Sequence, residues 1–222
     1  MNGAKTMVLF GDSHANQWLP ALDTVARRAR FRLLHRTKSA CPPASMTVFN
    51  TVLNQPYPEC DAWRKAVLAE IKQLRPDMVV VGGAFAIKGQ TSSNWGAGMA
   101  STMNQLHGAA RSIVFLNDTP YRADPGPDCV AAHLDDVKAC TTPLREARPY
   151  RQTEKEVRDA VTRADGRVVD PTRWLCVDGG CPAVIGNYLV YRDATHITAS
   201  YARFLARPLS AALQIPEKAR PS

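Results

Sequence analysis

The sequence contains no long hydrophobic run. Its longest apolar stretch, around Met78 to Ile87, is far shorter than the roughly 20 residues that a helix needs to cross a bilayer, so no transmembrane segment is expected within this chain. No cationic and apolar leader precedes Lys5, where structured sequence already begins. This abrupt start favours the interpretation that the chain is a domain taken from a longer precursor.

Several motifs that would define a binding site are also missing. There is no GxGxxG pattern and no phosphate-loop lysine, so Gly82-Gly83 is not expected to hold a nucleotide. No CxxC occurs and no cysteine stands at zinc-ligand spacing from a histidine, so neither a metal nor a cofactor is predicted. The formal net charge is +8, but the basic residues are scattered and no nucleic-acid motif accompanies them. The charge therefore favours residence near an anionic cell surface over nucleic-acid binding.

What the chain does contain is an even number of cysteines, six in all. Their order along the sequence predicts three local disulfides: Cys41–Cys60, Cys129–Cys140 and Cys176–Cys181. The third is the best supported, because Gly179 and Gly180 let the backbone reverse between the two sulfurs. The alternative is six buried, reduced thiols in a cytosolic enzyme. Three bridges would place the chain in an oxidising, extracytoplasmic compartment.

Short apolar runs alternate with helical stripes along the chain. Continuous apolar runs predict strands at 7–10, 31–35, 78–81, 113–116 and 167–169, as burial on both faces of a sheet requires. Helical spacing predicts helices at about 18–28, 63–74, 97–111, 150–164 and 199–213. The alternation indicates an α/β domain with a mostly parallel sheet covered on both faces. We interpret residues 1–222 as one domain with cysteine-bracketed loop insertions at about 41–60 and 118–148.

The first strand is followed directly by Gly11-Asp12-Ser13-His14. In parallel sheets the chemistry lies at the carboxyl ends of the strands, so Ser13 is a candidate nucleophile. The helix behind it offers free N–H groups to an oxyanion. By itself, however, a serine at such a junction is more often a helix N-cap.

Residues near the C-terminus favour the nucleophile over the N-cap interpretation of Ser13. Asp193-Ala194-Thr195-His196 precedes the last helix and places an acid and a base three residues apart. A serine hydroxyl needs a base to take its proton, and the base needs an acid to fix its tautomer. The alternative is that Asp193 caps the helix and His196 is incidental. Together with Ser13, the two residues indicate a catalytic triad.

These blocks resemble a known family. Gly-Asp-Ser near the N-terminus with Asp-x-x-His near the C-terminus is the signature of SGNH (GDSL-like) esterases and acetyltransferases. Gly11-Asp12-Ser13-His14-Ala15, then Ser39-Ala40-Cys41-Pro42-Pro43, and then Cys60 to Trp63 look closer still to the SGNH domain fused to the acyltransferase-3 membrane domain of bacterial O-acetyltransferases. The resemblance runs from Val8 to about Leu213. It implies a three-layer α/β/α fold with about five strands in flavodoxin-like order.

The resemblance also implies roles for individual residues. Ser13 would be the nucleophile, His196 the general base and Asp193 its orienting acid. The family's oxyanion-binding Gly and Asn are missing, since no Gly stands near 37–40 and no Asn follows the 79–81 strand. Main-chain N–H groups are the expected substitutes, and the candidates are Ser13, Ser39, Gly83 and Ala84.

Three functions remain open on this basis. The first is an extracytoplasmic O-acyltransferase domain that passes an acyl group, in particular acetyl, from a fused or partner acyltransferase-3 membrane domain through Ser13 to a surface-glycan hydroxyl. The second is a stand-alone carbohydrate esterase with the same triad. The third is a degenerate, non-catalytic glycan-binding domain.

A few further residues carry weaker expectations. The side chain of His14 should point away from Ser13 and be structural or line the substrate site. Asp12 should stabilise the turn. Trp95 is either part of an acceptor groove or simply a packing residue. His35, His107 and His133 are expected to be surface or packing residues.

Overall fold

The molecule, described here by a computed structural model, is built around one parallel sheet. The structure describes residues 5–51, 53–87 and 89–216. Within these residues the strands, in chain order, are β1 (Lys5–Gly11), β2 (Phe31–Thr37), β3 (Phe49–Asn50), β4 (Gln55–Pro56), β5 (Met78–Gly82), β6 (Ile113–Leu116), β7 (Thr141–Pro143), β8 (Arg167–Val169), β9 (Gly180–Pro182), β10 (Val184–Ile185) and β11 (Tyr188–Leu189).

Five of these strands form the central sheet, in the order β2-β1-β5-β6-β8. Every neighbouring pair in it is parallel. The chain first moves outward from β1 to β2 and then crosses back to the other side of β1, so the winding direction reverses next to β1. Such a reversal opens a crevice at the carboxyl edge of the sheet. The predicted three-layer α/β/α fold with a five-stranded, flavodoxin-like sheet is confirmed.

Alternation along each strand divides the core into two layers. Met7 and Leu9 of β1 pack on one face of the sheet, while Val8 and Phe10 pack on the other. All four side chains are at most 1% exposed. Because successive strand side chains point to opposite faces, an unbroken apolar run is what a strand covered on both sides requires.

Helices cover both faces. Within the described residues they are α1 (Ser13–Asn16), α2 (Leu19–Ala29), α3 (Pro58–Leu74), α4 (Ser92–Leu106), α5 (Gly126–Ala132), α6 (Leu144–Ala147), α7 (Arg151–Arg163), α8 (Thr172–Leu175), α9 (Ala199–Phe204) and α10 (Ala206–Ala212). Helices α2, α9 and α10 pack together on one side of the sheet, and α4 packs against α7 on the other.

Three predicted helices differ from the observed ones. The helix expected at 63–74 begins five residues earlier, at Pro58, because proline suits the first turn of a helix, where its missing N–H costs no hydrogen bond. The helix expected at 97–111 begins at Ser92, because Thr91 caps it by accepting the N–H of Asn94 at 3.2 Å. It ends at Leu106, two residues before Gly108 turns to a φ of 69°. The helix expected at 199–213 is broken at Leu205. Pro208 explains the break, since it has no N–H to donate to the carbonyl of Phe204.

The structure contains disulfides at all three predicted pairs, Cys41–Cys60, Cys129–Cys140 and Cys176–Cys181. The two cysteine-bracketed segments are not loops throughout. The first holds the β3–β4 ladder and the start of α3, and the second holds α5, a 3-10 turn at Val137–Cys140, β7 and α6. None of the helices in the described residues combines the length and the apolar character needed to cross a membrane.

Candidate active site

The site begins where β1 and β5 end side by side. Gly11 is paired with Gly82 at this point. A Cβ at Gly11, whose φ is 152°, would lie 1.8 Å from the carbonyl oxygen of Gly82. Only glycine permits this close approach of the two backbones. It brings the turn after β1 against the end of β5.

Asp12 and Ser13 form the turn into α1. Asp12 is the N-cap of this short helix, and its Oδ1 accepts the N–H of His14 at 2.8 Å. Its Oδ2 accepts the N–H of Ala84 at 2.9 Å. Burial raises the pKa of Asp12. The structure therefore gives the capping role to Asp12 and not to Ser13, and both carboxylate oxygens of Asp12 hold the turn.

The Ser13 hydroxyl meets His196 across the whole length of the sequence. Ser13 Oγ lies 2.9 Å from His196 Nε2. On the other side of the ring, His196 Nδ1 lies 2.9 Å from Asp193 Oδ2 and 3.1 Å from Oδ1. Because Nδ1 faces two carboxylate oxygens, it carries the proton of the neutral ring, and Nε2 accepts the hydrogen bond from Ser13. The structure thus brings the three predicted residues together in one chain of hydrogen bonds.

The pKa values of Asp193 and His196 fit an arrangement of serine, base and acid. Burial raises the pKa of Asp193, but the N–H groups of Thr195 and His196 and the imidazole of His196 outweigh it, so the pKa is lowered overall. Burial lowers the pKa of His196, a nearby positive charge on His14 lowers it further, and Asp193 opposes both. His196 is therefore neutral at pH 7 and able to accept a proton.

The loop that carries Asp193 and His196 is fixed by contacts with distant segments. Gln17, in the turn after α1, accepts the N–H of Ile197 at 2.7 Å. Thr119 Oγ1 donates to the carbonyl of Thr195 at 2.9 Å. The N–H of Arg122 donates to the carbonyl of Ala194 at 2.8 Å. These bonds hold His196 within reach of Ser13, and an antiparallel bridge between Tyr191 and Ile197 closes the loop.

A second histidine–aspartate pair lies beneath the first. His14 Nδ1 lies 2.5 Å from Asp118 Oδ1, and the two side chains are 5% and 2% exposed. Asp118 follows β6 at the same edge of the sheet. The ring of His14 lies 4.4 Å, centroid to centroid, from the ring of His196. His14 is thus turned away from solvent, and its burial does not fit the predicted substrate-lining role.

Sequence reasoning missed three residues of this site: Asp118, Tyr121 and Gln17. A signal for Asp118 existed, since Asn117-Asp118-Thr119 directly follows an apolar strand at the edge where chemistry is expected. Gln17 carried no signal, because a glutamine four residues after Ser13 reads as an ordinary helix residue. Its role follows from a contact with a residue 180 positions away.

The predicted oxyanion donors need one correction. The N–H of Ala84 is bonded to Asp12 Oδ2, so Ala84 is not available as a donor. Gly83 lies directly against the site turn, and a Cβ there would stand 2.5 Å from Pro43 Cδ and 3.2 Å from Asp12 Oδ2. In the 38–40 segment, Ala40 adopts a φ of 55°, a conformation that usually favours glycine. Ser13, Ser39 and Gly83 remain as proposed donors.

The remaining sequence candidates lie away from this centre. Trp95 is 1% exposed and packs edge-on against Phe85, so it is a packing residue and not part of an acceptor groove. His107 is exposed. His133 lies 3.9 Å from the sulfurs of Cys129 and Cys140. In the described residues this is the one cluster with metal-ligand types, but its two sulfurs are joined in a disulfide.

The comparisons with known proteins agree with this fold. The periplasmic domain of a lipopolysaccharide acetyltransferase from Salmonella ser. Paratyphi A superposes with a TM-score of 0.78 at 16% identity, covering 96% of this chain and 85% of that one. An inhibitor-bound aryl esterase from M. smegmatis gives a TM-score of 0.62 at 14% identity, with 95% and 99% coverage. A catalytic mutant of an acetylxylan esterase from Geobacillus stearothermophilus gives 0.57 at 13% identity, with 99% and 100% coverage.

No curated protein is significantly similar to the chain in sequence. The structural likenesses are all low in identity and establish a shared fold. The family itself is established by a sequence model that matches residues 1–211 and is described as the SGNH domain fused to AT3 domains. With this match over nearly the whole chain, and with the SGNH-type fold around Ser13, the protein belongs to the family of SGNH domains that are fused to AT3 domains.

Proposed function

We propose that the chain is the extracytoplasmic catalytic domain of an O-acyltransferase, which passes an acetyl group through a Ser13 acyl-enzyme to a hydroxyl of a surface glycan. The observation that supports this best is the continuous set of contacts Ser13 Oγ–His196 Nε2 at 2.9 Å and His196 Nδ1–Asp193 Oδ2 at 2.9 Å. Acyl transfer needs this nucleophile, base and acid in this order.

The first half-reaction forms the acyl-enzyme. Ser13 Oγ attacks the carbonyl carbon of the donor ester while His196 Nε2 takes the hydroxyl proton. The tetrahedral oxyanion collapses, the bond to the donor's leaving oxygen breaks, and His196 returns the proton to that oxygen. Asp193 stabilises the imidazolium that exists between the two steps.

The second half-reaction reverses these roles with a new hydroxyl. A sugar hydroxyl gives its proton to His196 Nε2 and attacks the acyl carbon. The bond to Ser13 Oγ then breaks, and His196 returns the proton to Ser13. Water in place of the sugar would give free acetate, which is the outcome that separates a transferase from an esterase.

The oxyanion in both steps requires donors other than the family's Gly and Asn side chain. The proposed donors are the N–H groups of Ser13, Ser39 and Gly83. Loss of one donor in such a site typically costs about 10²–10³ in rate. The turnover number is therefore expected to be modest, unless a partner domain completes the site.

The acyl source and the cellular location that we propose are based on the family and on the disulfides. The family description names fusion to AT3 domains, so we propose an acyltransferase-3 membrane domain, fused or in trans, as the source of the acyl group. Three disulfides in the structure are typical of an oxidising compartment. The net charge of +8 favours a location near an anionic envelope surface.

The first experiment tests the nucleophile. Hydrolysis of p-nitrophenyl acetate by the full chain should fall at least about 10³-fold in Ser13→Ala, with an unchanged melting temperature. His107→Gln serves as the matched control, since this exposed histidine lies outside the site. A fluorophosphonate should label the wild type but not Ser13→Ala. An active Ser13→Ala variant, or a folded wild type that is not labelled, would reject the proposal in favour of a non-catalytic domain.

The second experiment tests the acceptor. The protein is incubated with the activated acetyl ester and an envelope glycan, and the products are separated by mass spectrometry. A glycan gain of one acetyl group that disappears in Ser13→Ala supports transfer. Free acetate alone would show a carbohydrate esterase and overturn the transferase assignment.

A further inference from the structure

The buried pair of His14 and Asp118 has no step in the proposed mechanism, although it touches the catalytic base. The side chain of Asp118 is 2% exposed and that of His14 is 5% exposed. Burying two ionisable groups is costly unless they are paired and hydrogen-bonded. Burial of this pair therefore indicates that it stabilises the fold or contributes to function.

The Asp118 carboxylate is fully supplied with donors. Its Oδ1 accepts from His14 Nδ1 at 2.5 Å and from the N–H of Thr119 at 2.8 Å. Its Oδ2 accepts from the N–H of Phe85 at 3.0 Å and from the Tyr121 hydroxyl at 2.6 Å. Four donors stabilise the ionised form of a carboxylate. These four bonds fix the Asp118 carboxylate in place, with Oδ1 against Nδ1 of His14.

The charge on His14 is set by the groups around it. Burial lowers the pKa of His14, but the Asp118 carboxylate outweighs it, with smaller contributions from Asp12 and Asp193, and raises the pKa to about 9. A second cation, Arg192, also lowers the pKa of His196, with a smaller contribution than that of His14. The titratable and charged groups that face the two rings are Asp12, Asp118, Tyr121, Arg192 and Asp193.

We propose that His14 is a positioning residue that carries a positive charge against the ring of His196, with Asp118 as the group that holds that charge in place. The proposal rests on the proposed function, because it assigns His14 a task in the work of His196. A cation 4.4 Å from the His196 ring disfavours a second proton on that ring. His196 therefore stays an unprotonated base in mildly acidic surroundings, where an ordinary histidine would be charged.

Asp193 balances this effect from the other side of the ring. Its carboxylate bonds His196 Nδ1 and stabilises the imidazolium when the proton arrives from Ser13. His14 thus sets the resting state of the base, and Asp193 supports the charged state during the reaction. Two histidine–aspartate pairs divide these tasks between them.

The test is the pH profile of kcat/KM for p-nitrophenyl acetate in His14→Gln. Without the cation, the acid limb should move to higher pH by about one to three units, the shift that loss of a unit charge 4.4 Å away gives for an effective dielectric constant between about 60 and 20. A purely structural role for His14 would instead lower the rate by the same factor at every pH. The His107→Gln control should superimpose on the wild type.

Asp118→Asn provides a second variant of nearly the same shape. An amide cannot hold the proton on His14, so the acid limb should again move to higher pH, by less than in His14→Gln. Profiles of both variants that coincide with the wild type after scaling would overturn the proposal.

A measurement independent of activity separates this proposal from the proposed function. Long-range ¹H–¹⁵N spectra of Ser13→Ala protein report the protonation of each histidine ring as pH is varied. One ring, absent from the spectrum of Ser13→Ala/His14→Gln, should remain cationic at pH 8. The His196 ring should titrate below its ordinary pKa, and at higher pH in the double variant. A neutral His14 ring at pH 7 would overturn the inference whether or not Ser13 is the nucleophile.

Discussion

The two histidine–aspartate pairs are made of the same residue types and lie within one site, but they differ in exposure. The side chains of Asp193 and His196 are 42% and 16% exposed, whereas those of Asp118 and His14 are 2% and 5% exposed. The first pair comes from one turn of loop, three residues apart. The second joins the end of β1 to the end of β6, 104 residues apart.

The two histidines respond in opposite directions. The pKa of His196 is lowered by burial and by the charge on His14. The pKa of His14 is lowered by burial too, but Asp118 overrides this and raises it to about 9. The difference lies in the carboxylates, because a buried anion acts through a low dielectric while an exposed one is screened by water. We therefore propose that two pairs of the same residue types supply a base in one case and a fixed charge in the other.

The largest difference is expected in catalysis. His196→Gln should lower kcat by about 10⁵–10⁶, and Asp193→Asn by about 10⁴, since each removes a member of the proton-transfer unit. His14→Gln should lower the pH-independent kcat by far less. Steady-state kinetics with an activated acetyl ester measure all three. If His14→Gln were as damaging as His196→Gln across the pH range, the two pairs would not differ in role as proposed.

The second difference is expected in stability, and in the reverse order. Asp118→Asn should lower the free energy of unfolding by about 3–5 kcal/mol, because it breaks a buried pair and leaves His14 without its anion. Asp193→Asn should cost less than about 1 kcal/mol, as is usual for a partly exposed ion pair. Urea unfolding at pH 7 gives both values. Equal losses would show that burial does not separate the pairs.

The third difference concerns the pH dependence of stability. The folded pKa of His14, about 9, lies above its unfolded value near 6.5, so its contribution is complete below pH 6.5 and is lost as pH rises through 9. The loss should amount to about 3 kcal/mol. The pKa values of Tyr121 and Tyr191 are also raised, but their contributions are lost only above pH 10. Unfolding of the wild type between pH 6 and 9.5 should show this slope, and His14→Gln should flatten it.

The smallest difference is expected in the response to salt. Asp193 and its neighbour Arg192, whose side chain is 58% exposed, face solvent and are screened at high ionic strength. Raising NaCl from 0.05 to about 1 M should move the acid limb of the activity profile by a few tenths of a pH unit. The NMR titration of His14 should not move, and a comparable shift there would mean that the second pair is reached by solvent.

The strands and the three residues of the proposed triad could be predicted from the sequence for a similar reason. Strand β5 contains the uninterrupted apolar run Met78-Val79-Val80-Val81 because both of its faces are covered. Burial on both faces can therefore be predicted from the local composition. Ser13 and His196 stand in short blocks whose residue types have little other reason to occur together. Patterns of this kind can be recognised without knowing which residues lie next to them in the folded protein.

The elements that differed from prediction were set by particular residues of weaker signal. Thr91 moved the start of α4 by capping it, and Pro208 divided the last helix into two. Ala84 was proposed as an oxyanion donor from its position after β5. It gives its N–H to Asp12, a contact that depends on the turn after β1 and is invisible in either segment alone.

The sequence by itself determined the parallel α/β architecture, the cysteine pairs and the residues that meet as Ser13, Asp193 and His196. It did so because apolar periodicity and residue type along the chain carry that information. Only the tertiary structure decided that His14 is paired with Asp118 and that it lies against the ring of His196. The reason is that this arrangement depends on Asp118, on the donors around that carboxylate and on the exclusion of water, all of which are created when the ends of β1, β5 and β6 come together.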